Sequence, residues 1–193
     1  MIVAHNGQVY PKGEIMKSLK ASFALSASAL ALLWLAAPPA AASLLWIDDT
    51  GNNIGTVDTV TGTVVVKGNA GPDTLTDIGF ATNGNLFGTS FTNFYSINQT
   101  TGAGTLISAL GVGGGGMNAL VGAPGGVLYA ASNANTSLFS ITPSPFAAST
   151  FTGSTGAASA GDLAFAGGFL YLSGVDAANG NDELVRLTLS GRP

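Results

Sequence analysis

The stretch "NLFGTSFTNFYSINQTTGAGTLISALG", residues 85–111, reads as three short strands separated by turns. Aromatic and β-branched residues alternate with small polar ones, and Gly, Asn, Thr and Ser gather where the pattern breaks. The phrase returns as "GVLYAASNANTSLFSIT" at 126–142 and as "GFLYLSGVDAANGNDELVRLTLSG" at 168–191. Three anchors recur at intervals of about 40–46 residues. The apolar-aromatic pairs Leu45-Trp46, Leu86-Phe87, Leu128-Tyr129 and Leu170-Tyr171 step by 41, 42 and 42 residues. The following strand aligns Val57, Ile97, Ile141 and Leu187, and the preceding one aligns Asp77-Ile78, Asn118-Ala119 and Asp162-Leu163.

A period of about 40–45 residues with several strands per unit is the signature of blades packed around an axis. Helical repeats of that length need amphipathic helices. No stretch after residue 42 keeps a 3.6-residue apolar period over ten residues. The spacing therefore predicts an all-β, β-propeller-type fold of four-stranded blades.

One unit divides into an inner strand at 76–81, a second at 85–91, a third at 94–98 and a fourth at 104–110. Asn83-Gly84 is a favoured tight-turn pair between the first two. Asp58 and Asn98 are placed to cap their turns through the side chain, with Gly62 and Gly102 supplying positive φ. Three units start from Thr76, the last without its outer strand, and the later strands of one more precede them. That is an incomplete propeller of three to four blades. Either the chain is a C-terminally truncated product, or open blade edges close by self-association.

The first 42 residues follow another logic. From Met16, two lysines precede an apolar run at 21–37, a prolyl pair and the small-residue site Ala40-Ala41-Ala42. This is the layout of a secretory signal peptide over 16–42, cleaved after Ala42, so no membrane span is expected in the remainder. Residues 1–15 fit no part of such a leader. Lys12-Gly13-Glu14 is encoded by a purine run resembling a ribosome-binding site, which predicts translation from Met16 and a mature chain of 43–193.

That mature chain carries Lys67, Arg186 and Arg192 against eight aspartates and Glu183, a net charge of −6. No basic face exists for nucleic acid. There is no cysteine, and the single histidine, His5, precedes the leader. Ser-His-Asp and Cys-His mechanisms and histidine or thiolate zinc sites are thereby excluded from 43–193. Export without cysteine suits a bacterial secreted, periplasmic or cell-surface protein. "GVGGGG" at 111–116 matches a dinucleotide-binding spacing literally, yet no βαβ unit surrounds it, so it reads as an inter-blade link.

"LTDIGFATNGNLFGTSFTNFYSINQTTGAGTLISALG", "MNALVGAPGGVLYAAS" and "AGDLAFAGGFLYLSG" resemble exported bacterial propeller-like repeat proteins, many of which carry a C-terminal PEP-CTERM sorting tail. The tail is absent here. The resemblance implies an envelope location and specifies blades rather than a reaction, so nothing in it demands an enzyme.

What chemistry remains is acidic. Asp77, Asn118 and Asp162 fall at equivalent inner-strand starts and are expected to ring the mouth of the channel. Asp48 and Asp49, and Asp176 and Asp182 with Glu183, fall in other loops of the same face. Oxygen donors at this density suit calcium. The competing reading is that Asp77, Asn118 and Asp162 bond neighbouring backbone and set blade geometry, while the acidic loops are solvated hairpin tips. Three functions stay open: a binding or scaffolding propeller at the envelope, a calcium-dependent hydrolase of gluconolactonase-like type, or a truncated product without its own function. Trp46, Phe87, Tyr129 and Tyr171 are expected to pack between blades.

Overall fold

The computed structural model describes residues 2–5, 8–11, 43–110, 116–143, 146–176 and 178–193. The leader predicted at 16–42 and the glycines at 111–115 lie outside them. The chain divides into two units, Met1–Ala42 and Ser43–Pro193. In the first, β1 (Ile2–His5) and β2 (Gln8–Pro11) form an antiparallel hairpin.

Among its described residues the second unit is all strand and turn. Its strands are β3 (Leu44–Asp48), β4 (Asn53–Asp58), β5 (Val64–Asn69), β6 (Asp77–Phe80), β7 (Leu86–Thr89), β8 (Asn93–Ile97) and β9 (Gly104–Ala109). They are followed by β10 (Met117–Gly122), β11 (Leu128–Ser132), β12 (Ser137–Pro143), β13 (Phe146–Ser154), β14 (Ala158–Ala166), β15 (Phe169–Val175) and β16 (Asp182–Leu187). Four antiparallel meanders result: β3–β5, β6–β9, β10–β13 and β14–β16. The two middle sheets have four strands and the outer two have three, as the repeat predicts. Among the described residues no helix is long and apolar enough to cross a membrane.

Strand alternation explains how the sheets hold together. Successive side chains point to opposite faces, so Leu86 and Phe87 serve different neighbours. Leu86 joins Ile54, Leu75, Tyr95 and Ile97 in the core between the first and second sheets. Phe87 joins Phe94, Leu120, Leu128 and Ile141 between the second and third. In the third sheet Tyr129 takes the Phe87 position and packs with Leu163, Leu170, Leu172 and Leu187 of the fourth. Trp46 leans on the first core and meets Phe80 edge-on at 5.9 Å. Trp46, Phe87 and Tyr129 are packing positions between sheets, as their period implied, while Tyr171 lies on the far face of the fourth sheet, with no further sheet against it among the described residues.

The turns follow local chemistry. Asp58 Oδ1 accepts the Val60 and Thr61 N–H groups, and Asn98 Oδ1 those of Thr100 and Thr101. Gly62 and Gly102 follow at φ 71° and 73°. The β6–β7 turn departs from expectation. It runs Ala81–Gly84, closed by Gly84 N–H on the Ala81 carbonyl, with Gly84 alone at positive φ. Asn83 instead accepts the Asn85 N–H. That is the three-residue loop with a glycine bulge, which fits strand twist as well as the two-residue turn does.

The last residues also differ from a simple run toward a further strand. Thr188 and Gly191 close a turn, and Arg192 N–H donates to the Ser154 carbonyl at the end of β13. The sequence beyond β16 therefore folds back onto the preceding sheet.

Candidate functional site

The inner strands β6, β10 and β14 lie side by side, and glycines let them approach. A Cβ on Gly122 would overlap the Phe80 carbonyl oxygen, so that position admits no side chain. Beside these strands is a cavity of about 490 Å³. Its walls are apolar, with Leu45, Trp46, Phe80, Leu120 and Phe165 among them, and its polar side chains are Asp77 and Asp162.

Asp77 is held at both oxygens. Oδ1 accepts the Ile78 N–H at 2.7 Å and Oδ2 accepts the Leu120 N–H of the next sheet at 2.6 Å. Burial nevertheless pushes its carboxyl up to about 7, and the charges of Asp162 and Asp48 add to the rise. Burial likewise raises Asp48, with Asp49 contributing. Asp77 of β6 thus feels two further carboxylates, Asp48 from β3 and Asp162 from β14.

Asn118, one repeat after Asp77, bridges in the same sense. Its Nδ2 donates to the Ser159 carbonyl of the following sheet at 3.3 Å. Its Oδ1 is buried and accepts no hydrogen bond among the described residues. Asp162, a further repeat on, is exposed and lines the cavity. The structure therefore brings Asp77 and Asp162 to one cavity and turns Asn118 onto backbone. For Asp77 and Asn118, bonding to the neighbouring sheet is directly visible.

The acidic loops act locally. Asp49 Oδ1 accepts the Gly51 and Asn53 N–H groups, and its bonds to Asn53 hold it below the usual carboxylate range. Asp176 accepts from Ala178 N–H and Asn179 Nδ2 at the β15–β16 turn. Asp182 is exposed at the start of β16, away from the Asp77 cavity, beside a shallow depression with Glu183 and Leu184. Among the described residues no three His, Cys, Asp or Glu side chains come together as a metal group.

Two features escaped the sequence reading. Asn52, buried at φ 64°, donates to the Gly71 and Asp73 carbonyls at 2.7 Å each and accepts the Leu75 N–H at 3.0 Å. Asp73 in turn accepts Tyr95 Oη–H and Asn93 Nδ2, which hold it low. Together they fasten the link between the first two sheets. The only sequence signal was an Asn-Asn pair after Gly51, which reads as an ordinary turn.

No protein-family model matches the chain, and no curated protein does. Solved structures do match it. Hydrazine synthase of Kuenenia stuttgartiensis superposes at a TM-score of 0.53 and 14% identity, over 76% of this chain and 43% of that one. Selenomethionine-substituted virginiamycin B lyase from Staphylococcus aureus gives 0.51 and 15%, over 74% and 51%. A luciferin-regenerating enzyme gives 0.51 and 12%, over 75% and 60%. The chain spans about half the length of the solved structures it matches. At this identity the likeness is one of fold, and with the four meanders it defines the class: a β-propeller-type repeat protein.

Proposed function

We propose that this chain is an exported bacterial propeller-type protein with a binding role at the cell envelope, and that it binds through the channel-side cavity. One observation carries the reading. The cavity joins two carboxylates, Asp77 and Asp162, to an apolar wall that includes the Trp46–Phe80 pair. Two carboxylates lining one cavity favour a cation there, and the aromatic wall favours an organic one. The fitting ligand is a small amphipathic molecule with one cationic group.

Trp46 is the single tryptophan of 43–193 and lines the cavity, so its emission reports binding. Titration with benzylamine is expected to shift that emission, with benzyl alcohol and benzoate much weaker. Asp162→Asn, an exposed site, is expected to weaken benzylamine several-fold. Equal response to all three probes, or none, overturns the reading. A mature N-terminus at Ser43 in protein recovered from the cell envelope is the expected mark of export.

A calcium-dependent hydrolase is the second reading, and the buried, unpartnered Asn118 Oδ1 favours it. The donor set fits poorly. Calcium takes six to eight oxygens, and both Asp77 oxygens already accept backbone N–H groups. Thermal unfolding with calcium and with chelator tests it. A transition raised by calcium and lost in Asn118→Ala would favour the hydrolase reading.

A further inference from the structure

We propose that the two open sheet faces pair between two copies of this chain, closing a ring of eight sheets around one channel. Each sheet has a leading face that covers its successor and a trailing face that its predecessor covers. Phe87 and Phe94 belong to the leading face of the second sheet, and Leu128 and Ile141 to the trailing face of the third. The same pairing recurs between the third and fourth sheets.

Two faces lack a partner among the described residues. On the trailing face of the first sheet, Leu45, Val57 and Val64 stand in register across the three strands. Leu45 is 59% exposed, Val64 56% and Val66 63%. Leu45 and Val57 occupy the positions at which Leu86 and Ile97 are buried. On the leading face of the fourth sheet, Tyr171 pairs with Arg186 and Ser173 with Leu184. Tyr171 takes the Phe87 and Tyr129 position, Leu184 is 74% exposed, and Arg186 lies over the Phe169 ring at 4.8 Å.

A row of exposed apolar side chains in register marks an interaction surface. The occupant is specified by the repeat itself. The chain packs a leading face onto a trailing face three times, and the two unpaired faces are one of each kind. Such a head-to-tail interface generates a closed ring when the rotation allows. Two copies supply eight sheets, inside the range of about four to eight over which blades close. Twice the matched part, 74% of this chain, would span virginiamycin B lyase, of which it covers 51%.

The test is the solution mass of the purified protein at micromolar concentration, with variants on each face. The wild type is expected at twice the chain mass. Val64→Arg on the trailing face and Leu184→Glu on the leading face are each expected to give monomers that still unfold cooperatively. An equimolar mixture of the two is expected to recover the dimer, because one interface of the ring is then intact and the other pairs opposite charges. A monomeric wild type overturns the proposal, and would mean that further sheets of a longer polypeptide cover these faces. A dimer indifferent to both variants, a mixture that stays monomeric, or open-ended oligomers overturn it equally.

Discussion

The carboxylate of Asp77 accepts the Leu120 N–H at 2.6 Å, tying the inner strand of one sheet to that of the next. One repeat later Asn118 reaches the Ser159 carbonyl in the same direction. The position calls for a polar side chain that crosses between sheets. Only at Asp77 does that requirement leave a carboxylate partly buried beside two others.

The pH dependence of stability follows from that burial. Asp77 is raised from 3.8 in the unfolded chain to about 7 in the fold, so the folded state holds its proton more tightly. Stability is therefore highest, for this group, below the unfolded value, and it falls as pH rises from about 4 to about 7. The full shift corresponds to about 4 kcal/mol, reduced to roughly 2 kcal/mol by solvent at the exposed edge. Asp77→Asn is expected to remove most of this slope at a cost in hydrogen bonding, because the amide offers one acceptor where Asp77 offers two to the Ile78 and Leu120 N–H groups. Chemical denaturation at pH 5 and pH 8 checks it; an unchanged slope would refute the assignment.

Asp49, Asp58 and Asp73 act in the opposite direction. Hydrogen bonds hold each below its ordinary value, so their contribution is present above about pH 4 and lost as pH falls through the folded values. A stability profile with losses at both ends of the acid-to-neutral range is expected. In an Asp58→Asn variant, the acid limb should become shallower, as followed by circular dichroism.

Asn52 makes three side-chain bonds from a left-handed backbone conformation. Asn52→Ala leaves the Leu75 N–H buried and unpaired and adds backbone strain, at about 2–4 kcal/mol. Asn52→Gly loses the same bonds without the strain. It is expected to cost less than alanine by up to about 1 kcal/mol, which urea midpoints of the two variants will show.

Gly122→Ala places a methyl group on the Phe80 carbonyl where two inner strands meet. Backbone must move to admit it, so the cost is expected at about 3 kcal/mol or above. Gly84→Ala, in open space at positive φ, is expected to cost about 1 kcal/mol. Equal melting temperatures for the two variants would contradict the close approach.

Phe94 is fully buried and stacks on Phe87 with centroids 5.3 Å apart. Phe94→Ala is expected to cost about 3–5 kcal/mol. The loss should appear in global unfolding, because this core joins two sheets rather than supporting one loop.

The sequence by itself determined the blade, its strand order and its period. A two-residue alternation and turn glycines act locally, and a 42-residue spacing repeats them. The caps at Asp58 and Asn98 were legible for the same reason, since each side chain bonds backbone two or three residues away. The Asn83-Gly84 turn was legible only in kind, because either of two loop geometries satisfies the strand twist there. Only the tertiary structure decided which of three equivalent polar positions faces the cavity. Asp77 and Asn118 are 41 residues apart and identical in pattern, yet one shares its cavity with Asp162 and the other is turned onto Ser159. The clamp at Asn52 was invisible for a related reason: its partners lie 19 to 23 residues away across a linker with no period of its own. Contacts within one strand or turn are written in neighbouring letters. Contacts between sheets depend on which faces meet, and that is set when the blades pack.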